Sequence, residues 1–492
     1  MQYAQLLSPQ EAEQVHEASV GLLESFGILV HSPKALGVFK RHGCRVDGRT
    51  GIVKIPRRIV AQYCQAFVPT FTFRGRDPEY DKTIPDDSPV IVTASSAPDI
   101  VDPFSGELRR ATSADMANIA YLINELPGYD VFSTSTLAHD APEGQFSLAR
   151  FYPALKNCLK PVRGNTPDLK DLQQVLELGA IIAGGQEAYR QRPLITHHCC
   201  AAVSPLTLDI KSTEAIIYLT ERDLPCYATI APNAGMTAPM TLMGTLTLGN
   251  AEFLAVAVLK QMVKPQSPNI YAALSTVTDM RTGSYAPGAI ETGILQMAHS
   301  QMAHFYQVPS GGYIGLTGAH GNDAQAGYET GMNITAAMLG RTHMFNTGGL
   351  LSSLMAFDYA KAVIDAEMGM MLKRLKRGLE FSREHLALDV IAAAGHGGSY
   401  LELRHTFENM RGTAMLPTVA TREMRARWEQ TGRNDAHSRA LKEASRILTR
   451  DNPAVFSAEV DARIRQHFID LVPGDAKWAD DMCDTDGNAL IK

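Results

Sequence analysis

The stretch PSGGYIGLTGAHGNDAQAGYETGMNITAAMLGRTHMFNTGG (residues 309–349) decides the fold. A short apolar run (313–316) meets a glycine-rich turn. A segment of small residues at helical spacing follows (324–339), then a second short run (342–346). Strand, crossover helix and strand in that order make a βαβ unit, which places two parallel strands side by side.

The unit repeats on either side. Strand-like runs stand at 90–95, 131–135, 161–165, 194–198, 226–230, 269–275, 313–316 and 342–346. Helical segments follow each of them, at 113–126, 145–158, 168–183, 207–222, 239–263, 288–306, 324–339 and 358–376. Eight alternations predict an α/β fold of the (β/α)8 TIM-barrel type over residues 86–379.

Residues 1–85 read as an N-terminal α+β cap. They open on SPQEAEQVHEASVGLLESFG, where Ser8, Pro9 and Glu11 make a capping box before an amphipathic helix. Residues 380–492 read as a helical C-terminal extension with helices at 382–394, 422–430 and 435–448. Within it GHGGSYLELRHTFENMR (395–411) is broken by glycine and is expected to lean over the barrel mouth.

Composition narrows the function. Apolar residues make up 45% and charged residues 20%, enough for a large core in an ordinary globular enzyme. The net charge of −6 and the absence of a basic run argue against nucleic acid as a partner. No signal peptide opens the chain, and the best apolar stretches are cut by charge or glycine, so no membrane span and a cytoplasmic location are expected. Seven scattered cysteines without a CxxC pair read as reduced thiols.

In a barrel of this kind the site gathers at the C-terminal ends of the strands. The loops there are poor in charge and hold no carboxylate pair and no Ser/His/Asp set, which disfavours a hydrolase. Three features stand out. HHCC (197–200) offers metal-type ligands, but neighbouring strand residues face opposite sides, so the motif reads either as half a site or as a buried pair; no metal is expected. The turn GLTGAHGNDAQAG, which lacks Lys and Arg, reads either as a phosphate cradle or as a place of close backbone approach. His343 stands on the last strand with Phe345, Asn346 and, shortly after, Phe357. Together with Tyr271, Tyr285 and Tyr313, the Phe345 and Phe357 rings could face a cation.

Four long motifs then agree in order: PNAGMTAPMTLMGTLTLGNAEFLA (232–255), YAALSTVTDMRTGSYAPGAIETGILQMAHSQMAHFYQVP (271–309), NDAQAGYETGMNITAAMLGRTHMFNTGGLL (322–351) and RWEQTGRNDAHSRA (427–440). They resemble the trimethylamine methyltransferase family, and in particular its branch without pyrrolysine, which acts on quaternary amines such as glycine betaine. The resemblance implies a (β/α)8 barrel that binds no cofactor tightly and transfers methyl to the Co(I) form of a corrinoid carried by a partner protein. It also implies a homo-oligomer. Relatives acting on trimethylamine hold pyrrolysine near the seventh loop; here residues 317–322 are all ordinary, which favours a quaternary amine (glycine betaine or another betaine, carnitine or choline).

By the same resemblance His343 is the expected catalytic residue. Tyr313, Phe345, Asn346, Phe357 and His197 are the expected substrate contacts. A barrel that binds a quaternary amine without catalysis, and a barrel enzyme for a phosphorylated substrate, are the alternatives.

Overall fold

The computed structural model describes residues 3–478. Its centre is a ring of eight parallel strands: β1 (Val90–Val92), β2 (Phe132–Ser133), β3 (Val162–Gly164), β4 (Ile195–Cys199), β5 (Cys226–Ile230), β6 (Tyr271–Ala273), β7 (Ser310–Tyr313) and β8 (Met344–Asn346). Each pairs in parallel with the next, and β8 pairs with β1 through Met344↔Val90 and Asn346↔Val92. A parallel bridge Val92↔Val131 joins β1 to β2 and closes the ring. A helix follows each strand: α1 (Ser113–Glu125), α2 (Leu148–Asn157), α3 (Leu169–Ala183), α4 (Ile210–Glu221), α5 (Leu242–Val263), α6 (Ile290–Phe305), α7 (Ala324–Leu339) and α8 (Tyr359–Arg377). The fold is the expected (β/α)8 barrel.

One strand is displaced. The seventh was expected at 313–316 and lies at Ser310–Tyr313. Its glycines are strand residues because nothing larger fits: a Cβ on Gly312 would sit 2.3 Å from the Ala273 carbonyl oxygen, and one on Gly311 would meet the Met344 side chain.

The N-terminal segment opens on the capping box. Ser8 Oγ accepts from the Glu11 amide, and the Ser8 amide donates to the Glu11 carboxylate at 2.7 Å. Strand Ile28–Val30 of this segment pairs with Thr207–Leu208 from the loop after β4, so it is sewn to the barrel's side. The hairpin Phe71–Phe73/Lys82–Ile84 plugs the N-terminal end of the ring. Phe71, Phe73 and Ile84 pack there with Val90, Val92, Val131, Tyr227, Ile270, Ala272 and Met344 into one dry cluster. Each plugging side chain stabilises by about 1.5–3 kcal/mol.

Helix α5 is long and apolar enough to cross a bilayer by length and composition, yet 78% of its apolar window is buried inside the body. Its apolarity serves packing. The six described cysteines form no disulfide, and Cys483 lies outside the described residues.

The C-terminal segment holds helices Leu388–Ala394, Arg404–Thr413, Arg425–Gln430, Ala436–Leu448 and Ala458–His467. The stretch 395–411 does not cover the mouth. Arg377 and Arg374 at the end of α8 donate to the Gly412 and Thr413 carbonyls, and Lys373 beside them pairs with Asp130, just before β2. That is the N-terminal face of the barrel. Contact with the seventh mouth loop comes from His437, whose Nδ1 is 3.1 Å from Asn322 Nδ2.

Candidate active site

Alternation along parallel strands sends every second side chain inward, and cross-strand partners share a side. Tyr227, Ala272, Met344 and Val92 belong to the inner cluster, so Thr229, Asn346 and Tyr313 also point inward by parity and register. Gly312 and its partner Phe345 then point outward, Gly312 towards Gln296 of α6.

Above the floor cluster lies Arg163 of β3, fully buried. Its Nη1 donates to the Tyr227 hydroxyl at 2.5 Å and its Nη2 to the Tyr313 hydroxyl at 3.3 Å. The guanidinium carbon also stands 5.4 Å from the Tyr313 ring centroid. The Tyr313 hydroxyl is a hub, 3.0 Å from Ser95 Oγ and 3.4 Å from His198 Nε2. His198 stacks on the Tyr227 ring at 6.3 Å. Burial, reinforced by the Arg163 and Arg150 charges, holds its pKa far below the ordinary imidazole value, so His198 is neutral. Burial pushes the Tyr227 phenol up to about 12 against the pull of Arg163.

The electrostatics are unbalanced. Arg150 of α2 is also fully buried, but it donates to the Thr136, Thr134 and Asn165 carbonyls and to Ser96 Oγ and Thr134 Oγ1. Arg163 has two hydroxyls and an unpartnered Nε. Among the described residues no carboxylate pairs with either guanidinium, although a buried cation is costly unless it is paired. Unpartnered buried atoms surround the same space: both side-chain polar atoms of Asn346, Thr229 Oγ1, His198 Nδ1 and the Tyr285 hydroxyl. Tyr285 stands on the hairpin Thr276–Asp279/Ser284–Ala286 of the loop after β6, where burial, reinforced by the nearby Tyr313 phenol, raises its pKa. The space has one cationic donor group, neutral hydroxyl, amide and imidazole groups, and aromatic walls.

Of the expected contacts, Tyr313 and Asn346 face this space. His197 does not: it points outward to the Phe151 ring of α2, 6.3 Å away, and its neighbour His198 takes the inner side. Phe345 likewise belongs to the helix side. Phe357 lies on a short strand, Ala356–Phe357, outside the ring, buried against Gly349 and edge-on to Tyr359. His343 is at the opposite end of the barrel. It precedes β8, accepts a hydrogen bond from the Ser310 amide at 3.0 Å, and lines a cavity of about 380 Å³ with Tyr3, Asp86, Asp87, Arg341 and Lys376. Burial and the nearby His304, Arg341 and Lys376 bring its pKa down to about 3. The residue expected to act at the mouth thus stands at strand beginnings, where no mouth loop reaches.

Arg163, Tyr227 and His198 were absent from the expected contacts. The available signal was an arginine inside a strand run, PVRGN.

The glycine-rich loop after β7 already contains an anion. The Glu329 carboxylate of α7 accepts from the Gly318 amide at 2.8 Å and Thr317 Oγ1 at 2.6 Å.

The chain matches the model of the trimethylamine methyltransferase (MTTB) family over residues 1–471. It is 32% identical to a glycine betaine methyltransferase of Desulfitobacterium hafniense, covering 94% of this chain and 96% of the relative. It is 30% identical to a proline betaine:corrinoid methyltransferase of Eubacterium limosum over 82% of this chain and 84% of that one. A trimethylamine methyltransferase of Desulfitobacterium hafniense is 29% identical over 93% and 92% of the two chains. With the barrel and its charge-poor mouth, these matches make the chain a methyltransferase belonging to the trimethylamine methyltransferase (MTTB) family.

Proposed function

We propose that this chain moves a methyl group from a betaine, a quaternary amine carrying a carboxylate, to the Co(I) centre of a corrinoid held by a separate protein. The observation that carries the reading is Arg163: a fully buried guanidinium with a free Nε and no carboxylate partner among the described residues, beneath a ring-lined mouth. A substrate carboxylate supplies the missing counter-charge, and a bidentate pair is the geometry arginine favours. The Asn346 amide stands ready as a further donor. The Tyr285 and Tyr313 rings offer faces to the quaternary nitrogen, which attracts aromatic quadrupoles. Two of the relatives are named for betaines, which supports this choice within the family.

The chemistry asks little of the protein. A quaternary nitrogen leaves as a neutral tertiary amine, the C–N electron pair returning to it, so no general acid is needed. The corrinoid supplies the nucleophile. The chain's own residues hold the amine in line and keep water out, which is catalysis by positioning. Neutral His198 adds no positive charge next to the bound quaternary cation.

A phosphorylated substrate fits less well, because the amide cradle after β7 is filled by Glu329. The test is to mix the protein with Co(I) cobalamin and a panel of glycine betaine, proline betaine, carnitine, choline and trimethylamine. Loss of the Co(I) absorption with the carboxylated quaternary amines is expected. No loss with any of them, accompanied by tight betaine binding in calorimetry, would instead support a binding protein without catalysis.

A further inference from the structure

The cavity beside His343 lies at the floor end of the barrel, apart from the mouth. Three connections frame it: residues 85–89 between the plugging hairpin and β1, the turn 341–343 between α7 and β8, and the end of α8. Its volume of about 380 Å³ falls within the range of small-molecule sites.

The charges that line it are matched in number and do not meet. Arg341 and Lys376 stand over the Tyr3 ring, 5.6 and 5.0 Å from its centroid, and Lys376 Nζ also donates to the Tyr3 hydroxyl. A ring face attracts guanidinium and ammonium groups, so Tyr3 restrains both cations. Asp86 and Asp87 enter from the 85–89 connection. Among the described residues none of these four charges forms an ion pair.

His343 adds a third donor. Its Nδ1 accepts from the Ser310 amide at 3.0 Å, and an amide N–H can only donate, so the neutral ring carries its proton on Nε2. No described residue accepts that Nε2–H. Burial, then the His304, Arg341 and Lys376 charges, bring the pKa of the ring to about 3, so it donates without adding charge.

We propose that this cavity binds a zwitterion whose ammonium group carries N–H, the charge form of an amino acid. Two cations and two carboxylates sum to zero. A plain anion would face the aspartates and a plain cation would face Arg341 and Lys376, whereas a neutral dipole satisfies both sets. The ligand carboxylate takes the fork of Arg341, with Lys376 and His343 as further donors. The ammonium N–H groups donate to Asp86 or Asp87. That last contact separates this cavity from the mouth. A quaternary nitrogen has no N–H, so rings hold it and a carboxylate cannot hydrogen-bond it. Loss of one methyl turns a betaine into a tertiary amine that is protonated in water and gains the N–H. The ligand class therefore includes the demethylated product, and that member alone rests on the betaine reading above.

The experiment is calorimetric titration of the full chain carrying Arg163→Met, which removes the carboxylate contact at the mouth. The probes are glycine, N,N-dimethylglycine, glycine betaine, acetate and inorganic phosphate. At least one of the two N–H zwitterions is expected to bind one site per chain, at least about tenfold more tightly than betaine, acetate or phosphate. Adding Arg341→Gln or Asp87→Asn is expected to weaken it at least about tenfold. Failure of both zwitterions to bind, acetate or phosphate binding as tightly as they do, or an affinity that survives both added substitutions overturns the proposal. Circular dichroism checks the folding of each variant, and Lys376→Met takes the place of Arg341→Gln if that chain does not fold. Methyl transfer from betaine by the wild type is measured separately: its failure removes the betaine reading and leaves the cavity's ligand to be judged by the titration.

Discussion

The two ends of the barrel are built from the same eight strands and have opposite chemistry. At the N-terminal end the plugging hairpin seals a floor of Phe71, Phe73, Val90, Val92 and Met344 with no polar atom to satisfy. One or two residues further along the same strands, Arg163, Tyr313, His198, Thr229 and Asn346 gather polar atoms that the protein leaves partly unpartnered. The contrast separates two tasks. The floor supplies stability and keeps the interior dry, and a dry interior strengthens the field of the buried Arg163 guanidinium above it.

The contrast can be broken most sharply at Arg163. Arg163→Met keeps the volume and removes the charge, and betaine turnover is expected to fall by about 3–5 kcal/mol in kcat/KM, roughly 150-fold to several thousandfold, with little loss of melting temperature. Steady-state rates with Co(I) cobalamin measure the first quantity and calorimetry the second. The floor should respond in the opposite sense: Phe73→Ala is expected to cost about 3–4 kcal/mol of stability in urea titration while leaving the KM for the amine within about threefold.

Smaller effects sharpen the picture. Tyr313→Phe removes the hydroxyl that joins Arg163, Ser95 and His198, and about a tenfold loss in kcat/KM is expected. Glu252 of α5 tethers the loop after β4 by accepting from the Leu206 amide and Ser204 Oγ, and burial raises its pKa from 4.5 to about 7. An acid raised on folding binds its proton more tightly in the native state. Its contribution is therefore full below about 4.5 and is lost as pH rises through about 7. Relative to Glu252→Gln, the wild type should lose ~1–3 kcal/mol between those limits, measured by melting at several pH values. His343→Ala should change turnover by less than about twofold, since the residue stands at the floor end.

The barrel was legible because periodicity survives translation into structure: all eight strands and all eight helices appear near their expected places. The seventh strand slipped by three residues because SGGY reads as a loop until Ala273 and Met344 are seen occupying the space beside its glycines. The site was only half legible. Tyr313 and Asn346 end their strands and so reach the mouth side, whereas His343 begins its run, and position within a run decides which end of a barrel a residue faces. Arg163 is hidden from a reading of loop charge because it stands within a strand; its length carries the guanidinium from mid-strand to Tyr227 and Tyr313 across the interior.

The central claim is that a substrate carboxylate completes Arg163. It is tested most directly by comparing glycine betaine with choline, which shares the trimethylammonium group and lacks the carboxylate, in wild type and in Arg163→Met. The account predicts that wild type consumes Co(I) at least a hundredfold faster with glycine betaine than with choline, and that the variant loses most of that preference. Equal rates with the two amines in the wild type, or a preference for betaine that survives the loss of Arg163, would contradict it.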